Sequence, residues 1–143
     1  MTSELLANFR HVLPMPLRWA DMDALGHINN AAYLTYLEQA RIRYFRDLDL
    51  WDGQPNKLGL IMAKVVLEYK LPLFAEDTVS VYTRCSRLGN RSFDTEQLIV
   101  RQADTLEIAA QATITIVVFD YRANQSAPIP DEWRARLIAY EPG

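Results

Sequence analysis

The order of repeat patterns along the chain limits the folds that it can adopt. From Asn30 to about Leu48, apolar residues recur every three or four positions, as on one face of a helix. A period of two then predicts four strands in succession, with a further strand expected within residues 11–19. The four are Leu60–Tyr69, Thr78–Arg87, Ser92–Gln102 and Ile108–Phe119. One helix followed by antiparallel strands predicts an α+β fold, with the helix packed on a curved five-stranded sheet.

Local signals predict where these elements end and how they connect. Asn29 or Asn30 is a suitable N-cap for the helix. Two prolines within residues 11–19 favour an edge position for the first strand, because proline cannot donate a ladder hydrogen bond. Gly89-Asn90 is typical of a tight turn joining two strands. Residues Asp131–Tyr140 follow two further prolines and are expected to form a short terminal helix.

Composition limits the class of protein. The 143 residues suit one domain, expected to span residues 1–143. A net charge of −3 argues against general nucleic-acid binding, which usually needs a basic face. No apolar run approaches the roughly 18 residues of a membrane span. The first residues lack the features of a signal peptide, and one cysteine cannot form an internal disulfide. We therefore expect a cytoplasmic protein.

The segment Asp21–Asn30, Asp-Met-Asp-Ala-Leu-Gly-His-Ile-Asn-Asn, concentrates polar residues directly before the helix. Taken alone, Asp and Asn in this position are most often helix caps. However, the first backbone N–H groups of a helix lack intrahelical partners and lie at the positive end of its dipole. The segment therefore permits two interpretations, a cap or an active site.

This segment and its surroundings resemble a known family signature. The pattern Asp-x-Asp-x-x-Gly-His-(Val/Ile)-Asn-Asn is similar to that of the acyl-CoA thioesterases related to 4-hydroxybenzoyl-CoA thioesterase, which have the hotdog fold. Further matching positions are Arg18-Trp19-Ala20, Tyr33, Leu37, Glu38 and Arg41, and then Tyr69–Leu73, Asp77 and Arg87–Phe93. The matches extend over roughly residues 11–119, and they imply hydrolysis of an acyl-CoA thioester to a free acid and coenzyme A.

The resemblance also implies roles for individual residues. Asp23 takes the position of the family's catalytic carboxylate, which either attacks the thioester carbonyl or acts as a base on water. The backbone N–H of Asn30 would bind the oxygen that becomes negatively charged. His27 would orient Asp23 or a water, or serve only as a structural hydrogen-bonder. Asp21 is expected to be structural, bonded to loop amides.

Coenzyme A binding and assembly are expected to follow the family. Arg87, Arg91 and Ser92 are the candidates to receive the coenzyme A phosphates, and the alternative is a solvated surface face. Family members form homodimers or homotetramers with the active site between subunits, and a single hotdog unit leaves a sheet edge uncovered. Coenzyme A is part of the substrate, so no separate cofactor is expected.

Other interpretations remain open at this stage. Two histidines and no ligand-spaced cluster argue against a metal site. Cys85 lies on an apolar strand face and is expected to be a small core residue. Glu38 is expected to form an ion pair with Arg41 or Arg43. The functional alternatives are a non-catalytic acyl-CoA binding protein, a thioesterase acting on acyl-carrier-protein, and a hotdog dehydratase, although the Asp/His arrangement of the dehydratase is not apparent.

Overall fold

The sheet contains five long antiparallel strands and one short one. A computed structural model describes residues 2–51 and 58–142. The long strands are β1 (His11–Met15), β2 (Leu58–Tyr69), β3 (Thr78–Leu88), β4 (Ser92–Gln102) and β5 (Leu106–Asp120). Their spatial order is β1-β3-β4-β5-β2, and the two-residue β6 (Gln125–Ser126) pairs with the end of β5. The predicted strands are confirmed, and the proline-containing β1 lies at an edge as expected.

In residues 2–51 and 58–142, the sheet is accompanied by one turn of 3₁₀ helix at Trp19–Asp21 and by three α-helices. They are α1 (Thr2–Leu6), α2 (Asn30–Asp47) and α3 (Asp131–Tyr140). The predicted long helix and terminal helix are confirmed. The five-residue α1 was not predicted, because one short turn carries no readable period.

Helix α2 packs across one face of the sheet and forms the main core. Its buried residues recur at helical spacing, as the sequence predicted. They are Tyr33, Tyr36, Leu37, Ala40, Arg41, Tyr44 and Phe45. A second, smaller core joins Leu6 and Phe9 to Leu98 and Val100 of β4. This arrangement is the predicted hotdog fold, with the long helix held by the curved sheet.

Strand β2 leaves apolar side chains uncovered at the free edge of the sheet. Ile61, Met62, Val66 and Tyr69 are between 36% and 50% exposed. A β-bulge between Met62 and Lys64 shifts the register, so the alternation of side chains between the two faces of the strand is interrupted there. The edge of β2 is therefore both unpaired and partly apolar.

Helix α2 and strand β2 run in opposite directions. The hydroxyl of Tyr69, at the end of β2, donates to the carbonyl of Asn30 at the start of α2. Leu60, near the start of β2, instead lines a cavity with Phe45 in the last third of α2. The start of the helix and the end of β2 therefore occupy the same end of the molecule. Within the described residues, no helix is long and apolar enough to cross a membrane.

Candidate active site

Backbone hydrogen bonds close the loop before α2 into a tight turn. The N–H of Asp23 donates to the carbonyl of His27 at 2.8 Å, and the N–H of Gly26 donates to the carbonyl of Asp23 at 3.1 Å. Gly26 has a φ of 86°, which explains why glycine stands there. The N–H of Ile28 donates to the carbonyl of Leu73 at 2.7 Å. These bonds fix the loop against the connection between β2 and β3.

One carboxylate oxygen of Asp23 is held by the loop, while the other has no partner among the described residues. Its Oδ1 accepts the backbone N–H groups of Leu25 at 2.9 Å and His27 at 3.3 Å. In the described part of the chain, no group hydrogen-bonds to Oδ2. The side chain is half-buried. Asp23 is thus positioned by the loop and still presents one oxygen for chemistry.

Among the residues that the structure describes, the start of α2 presents a backbone N–H without a partner. The side chain of Asn29 accepts from the N–H of Ala31 at 2.9 Å, which makes Asn29 the N-cap. The carbonyl of Asn29 accepts from the N–H of Ala32 at 2.9 Å. The N–H of Asn30 has no partner among the residues that the structure describes. The first N–H available to a ligand at this helix end is therefore that of Asn30.

Asp21 anchors the loop to the helix. Its carboxylate accepts from Arg18 at 2.8 Å and from the Tyr36 hydroxyl at 2.7 Å. Its carbonyl accepts the N–H of Asn29 at 2.8 Å. The hydrogen bond from Arg18, followed by that from Tyr36, lowers the pKa of Asp21. The carboxylate of Asp21 therefore binds these two side chains and not the expected loop amides, and its structural role stays a prediction.

The imidazole of His27 is placed by packing. Its ring lies edge-on to Phe74, with the ring centroids 5.4 Å apart. The ring makes no hydrogen bond to any described residue, and only the backbone N–H of His27 reaches Asp23. The catalytic role expected for this side chain stays a prediction.

Two tyrosines beside the helix start matched the family signature but were given no role from the sequence. The hydroxyl of Tyr69 donates to the Asn30 carbonyl at 2.8 Å, and that of Tyr33 donates to the Leu71 carbonyl at 3.3 Å. Their rings pack edge-on with centroids 4.9 Å apart. Tyr33 was visible in the helical pattern, but its contact with Tyr69 joins positions far apart in sequence. Together they hold the first turn of α2 against β2.

The residues expected to bind coenzyme A lie at the other end of the sheet. Arg87 donates to Asp94 at 2.9 Å and to Ser92 at 3.0 Å, and Arg91 donates to the Ser126 carbonyl at 2.8 Å. The hydrogen bond from Arg87 lowers the pKa of Asp94. All three candidates thus already have partners within the chain.

The separation can be read from the strand register. On β5, Ser92 pairs with Val117, whereas Tyr69 pairs with Ala110. At about 3.4 Å per residue, these levels are roughly 24 Å apart along the strand. A single copy of the chain therefore does not bring the Arg87–Ser92 turn to Asp23.

Cys85 and Glu38 are the remaining sequence-derived candidates. Burial raises the pKa of the Cys85 thiol to about 11, so it is not a thiolate near neutral pH. The ion pair expected for Glu38 is wrong, since no cation lies within 4.0 Å of it in the described residues. Arg41 turns toward Gln97, and Arg43 pairs with Asp47 at 3.1 Å. Residues 2–51 and 58–142 contain no group of three His, Cys, Asp or Glu residues that would hold a metal.

Comparisons with known proteins agree on one family. The family model of the thioesterase-like superfamily matches residues 17–137. The long-chain acyl-CoA thioesterase FadM of Escherichia coli K12 is 24% identical over 131 residues, covering 85% of this chain and 92% of that protein. The acyl-CoA thioesterase YbgC of Haemophilus influenzae is 25% identical, covering 85% and 90%. A thioesterase of Thermus thermophilus, solved with coenzyme A and zinc, is 33% identical with a TM-score of 0.80, covering 92% and 95%.

Proposed function

This chain belongs to the thioesterase-like superfamily, and we propose that it hydrolyses acyl-CoA thioesters to a free acid and coenzyme A. The names of its relatives support thioester hydrolysis, and a relative at 33% identity was solved with coenzyme A bound. One observation carries the proposal for the site. A carboxylate oxygen of Asp23 and the N–H of Asn30 are both without partners in the described residues, at the two ends of one short loop.

In the proposed mechanism, Asp23 begins the reaction. It either attacks the thioester carbonyl carbon through Oδ2 or removes a proton from an attacking water. On the first route the carbon–sulfur bond breaks, coenzyme A leaves as the thiolate, and water hydrolyses the resulting mixed anhydride. On the second route the water oxygen bonds to the carbonyl carbon, and the carbon–sulfur bond then breaks with loss of the same thiolate. On either route the carbonyl oxygen becomes negatively charged in the tetrahedral intermediate. The N–H of Asn30, at the positive end of α2, stabilises that charge.

The main competing function is acyl-CoA binding without hydrolysis. Free coenzyme A thiol should be measured during incubation with a panel of aliphatic and aromatic acyl-CoAs, alongside calorimetric binding of the same compounds. We expect thiol release from at least one of them. Tight binding of an acyl-CoA with no thiol release would favour the binding-protein alternative. An acylated acyl-carrier-protein should be tested beside the panel, and thiol release from it alone would identify the other substrate class.

We further propose that two copies of the chain assemble along β2. The free edge of β2 is twelve residues long and carries exposed apolar side chains. In a stable monomer, such an edge is expected to be covered by another element or to carry charged side chains. Ile61 of β2 and Ser92 of β4 both pair with Val117 of β5, so the two residues lie at the same position along the strand direction. Antiparallel pairing of two β2 strands places the Ile61 end of one copy beside the Tyr69 end of the other. The Arg87–Ser92 turn of one subunit then reaches the level of Asp23 in its partner.

Val66→Lys is expected to convert the protein to a monomer, because it places a charge on the apolar edge. Light scattering at micromolar concentration measures the change in mass. The control is Ile138→Lys, since Ile138 is an equally apolar and more exposed residue on α3. A Val66→Lys protein with the mass of the wild type would place the interface elsewhere. Activity should fall with dissociation, because the site is completed by the partner.

Arg91→Ala is expected to raise KM by about twofold to fivefold with little change in kcat. A remote, exposed phosphate contact contributes similarly to binding the ground state and the transition state. The effect should shrink at high salt. Arg10→Ala removes an exposed arginine outside the proposed coenzyme A site and is the control. An unchanged KM in a folded Arg91→Ala protein would remove Arg91 from the site and leave it with its structural bond to Ser126.

A further inference from the structure

A cavity of about 280 Å³ lies between the second half of α2, the start of β2 and the end of β5. We call it the tail cavity. Its walls are mainly apolar, and it contains two charged side chains, Arg41 and Glu38. The apolar lining includes Ile42, Phe45, Trp51, Leu60, Met62 and Tyr121. With a water's share of liquid volume near 30 Å³, it has room for roughly nine water-sized groups.

Arg41 is buried at this cavity without a carboxylate partner. The residue is only 7% exposed. One guanidinium nitrogen, Nη1, donates to Oε1 of Gln97 at 3.2 Å, and the other two nitrogens have no partner among the described residues. No carboxylate of residues 2–51 and 58–142 lies within 4.0 Å of the Arg41 guanidinium. An arginine with so little exposure is normally paired, because its desolvation is otherwise only partly compensated.

The neighbouring carboxylate does not serve as that partner. Glu38 lines the same cavity but is exposed, and it forms no ion pair within the described residues. Burial lowers the pKa of Arg41, and the charge of Glu38 opposes that effect only from a distance. The cavity therefore presents a positive charge with unused hydrogen-bond donors.

Arg41 has more N–H donors than its hydrogen bond to Gln97 uses. Gln97 donates through Nε2 to the Leu37 carbonyl and to the Thr83 hydroxyl, each at 3.0 Å, so its Oε1 needs a donor. One N–H from any neutral donor would satisfy that oxygen. A guanidinium has five N–H groups in a planar fork that matches a carboxylate.

We propose that the tail cavity receives the far part of the acyl chain and that Arg41 binds a carboxylate at its end. The substrate class is then the ω-carboxyl acyl-CoAs, which are mono-CoA thioesters of dicarboxylic acids. The apolar walls take the methylene groups, and the guanidinium takes the terminal carboxylate in a two-point contact. A chain ending in methyl leaves the buried donors unpaired, which is the strongest form of discrimination. This inference rests on the proposed acyl-CoA hydrolysis.

The distance along α2 sets an approximate chain length. Arg41 follows Asn30 by eleven residues on the same helix, or about 16 Å at 1.5 Å per residue. An extended polypeptide backbone advances about 3.3–3.6 Å for every three bonds, and an extended acyl chain has a similar rise per bond. A chain with its thioester at Asn30 and its carboxylate at Arg41 in one subunit then spans roughly 14 bonds.

Matched pairs of substrates test the proposal. For chains of roughly 8 to 16 carbons, kcat/KM is measured for the plain acyl-CoA and for its ω-carboxyl counterpart. The wild type should prefer the ω-carboxyl member at its best length. Arg41→Met should lose about 10- to 100-fold on that substrate and gain activity on the plain one, because the donors that a methyl end leaves unpaired are gone. Arg41→Lys, which keeps a cation but not the fork, should retain part of the preference.

The outcomes separate this inference from the function on which it rests. A wild type that hydrolyses plain acyl-CoAs as well as ω-carboxyl ones at every length would overturn the inference and leave the hydrolase intact. Failure to hydrolyse any acyl-CoA would instead overturn the proposed function. A free dicarboxylic acid provides a readout without turnover, since it should raise the melting temperature of the wild type but not of Arg41→Met. If that variant does not fold, the wild-type pairs alone decide.

Discussion

Replacing Asp23 with Asn is expected to lower kcat by about 10²- to 10⁴-fold or more, while most of the affinity for acyl-CoA is kept. Asn is nearly the same size, and its carbonyl oxygen can still accept the N–H groups of Leu25 and His27 that Oδ1 of Asp23 now accepts. The loop should therefore keep its shape. The amide can neither attack a thioester effectively nor take a proton from water. Steady-state kinetics together with calorimetric binding measure the two effects.

Asp21→Asn is the matched control, because the same change is made two residues earlier in the loop. Its effect on turnover should be milder than that of Asp23→Asn. It should lower the melting temperature near neutral pH, since it weakens the bonds to Arg18 and Tyr36. The pKa of Asp21 is depressed on folding, so this stabilisation is present above its ordinary value of 3.8 and is lost as the pH falls through the folded pKa. Near-normal turnover in a folded Asp23→Asn protein would show that Asp23 only shapes the loop.

Asn30→Pro is expected to lower kcat by about 10²- to 10³-fold, which is the usual cost of losing one oxyanion donor. Proline removes the backbone N–H at this position and is well tolerated as the first residue of a helix. Asn29 has φ −59° and ψ 137°, the extended backbone that the residue before a proline prefers. The carbonyl of residue 30 remains available to Tyr69. Kinetics should be measured beside a far-ultraviolet circular dichroism spectrum and a melting curve.

Asn30→Ala provides the control, because it removes the side chain and keeps the N–H. It should turn over substrate at nearly the wild-type rate, since the Asn30 side chain makes no hydrogen bond to a described residue. An Asn30→Pro protein that is folded and fully active would assign the oxyanion donor to another group. Equal losses in both variants would point to the side chain in place of the backbone.

The secondary structure could be predicted closely because each element carries a clear period. Helix α2 was expected over Asn30 to about Leu48 and spans Asn30–Asp47, and Ser92–Gln102 and Asp131–Tyr140 were predicted with the observed bounds. The N-cap was readable from residue type, since Asn favours that position. These features depend on neighbours a few residues apart, which the sequence displays directly.

The relations between distant positions could not be predicted in this way. The alternating pattern of β2 does not show that this strand lies at the edge of the sheet. Nor does any local pattern show that the Arg87–Ser92 turn lies far from Asp23 within one chain. Arg41 matched the family signature and was interpreted only as a partner for Glu38. Its burial against Gln97, 56 positions away, appears only when the sheet is assembled. The candidate site was therefore proposed from the resemblance of one local loop to a family signature, while its wider surroundings needed the fold.

A crystal structure of Asp23→Asn with an unhydrolysed acyl-CoA tests the location of the chemistry directly. The slow variant should hold the intact thioester. Its carbonyl oxygen should lie about 2.7–3.1 Å from the backbone nitrogen of Asn30, with the carbonyl carbon beside the side chain at position 23. A thioester bound away from the start of α2, with the N–H of Asn30 unused, would contradict the proposed active site.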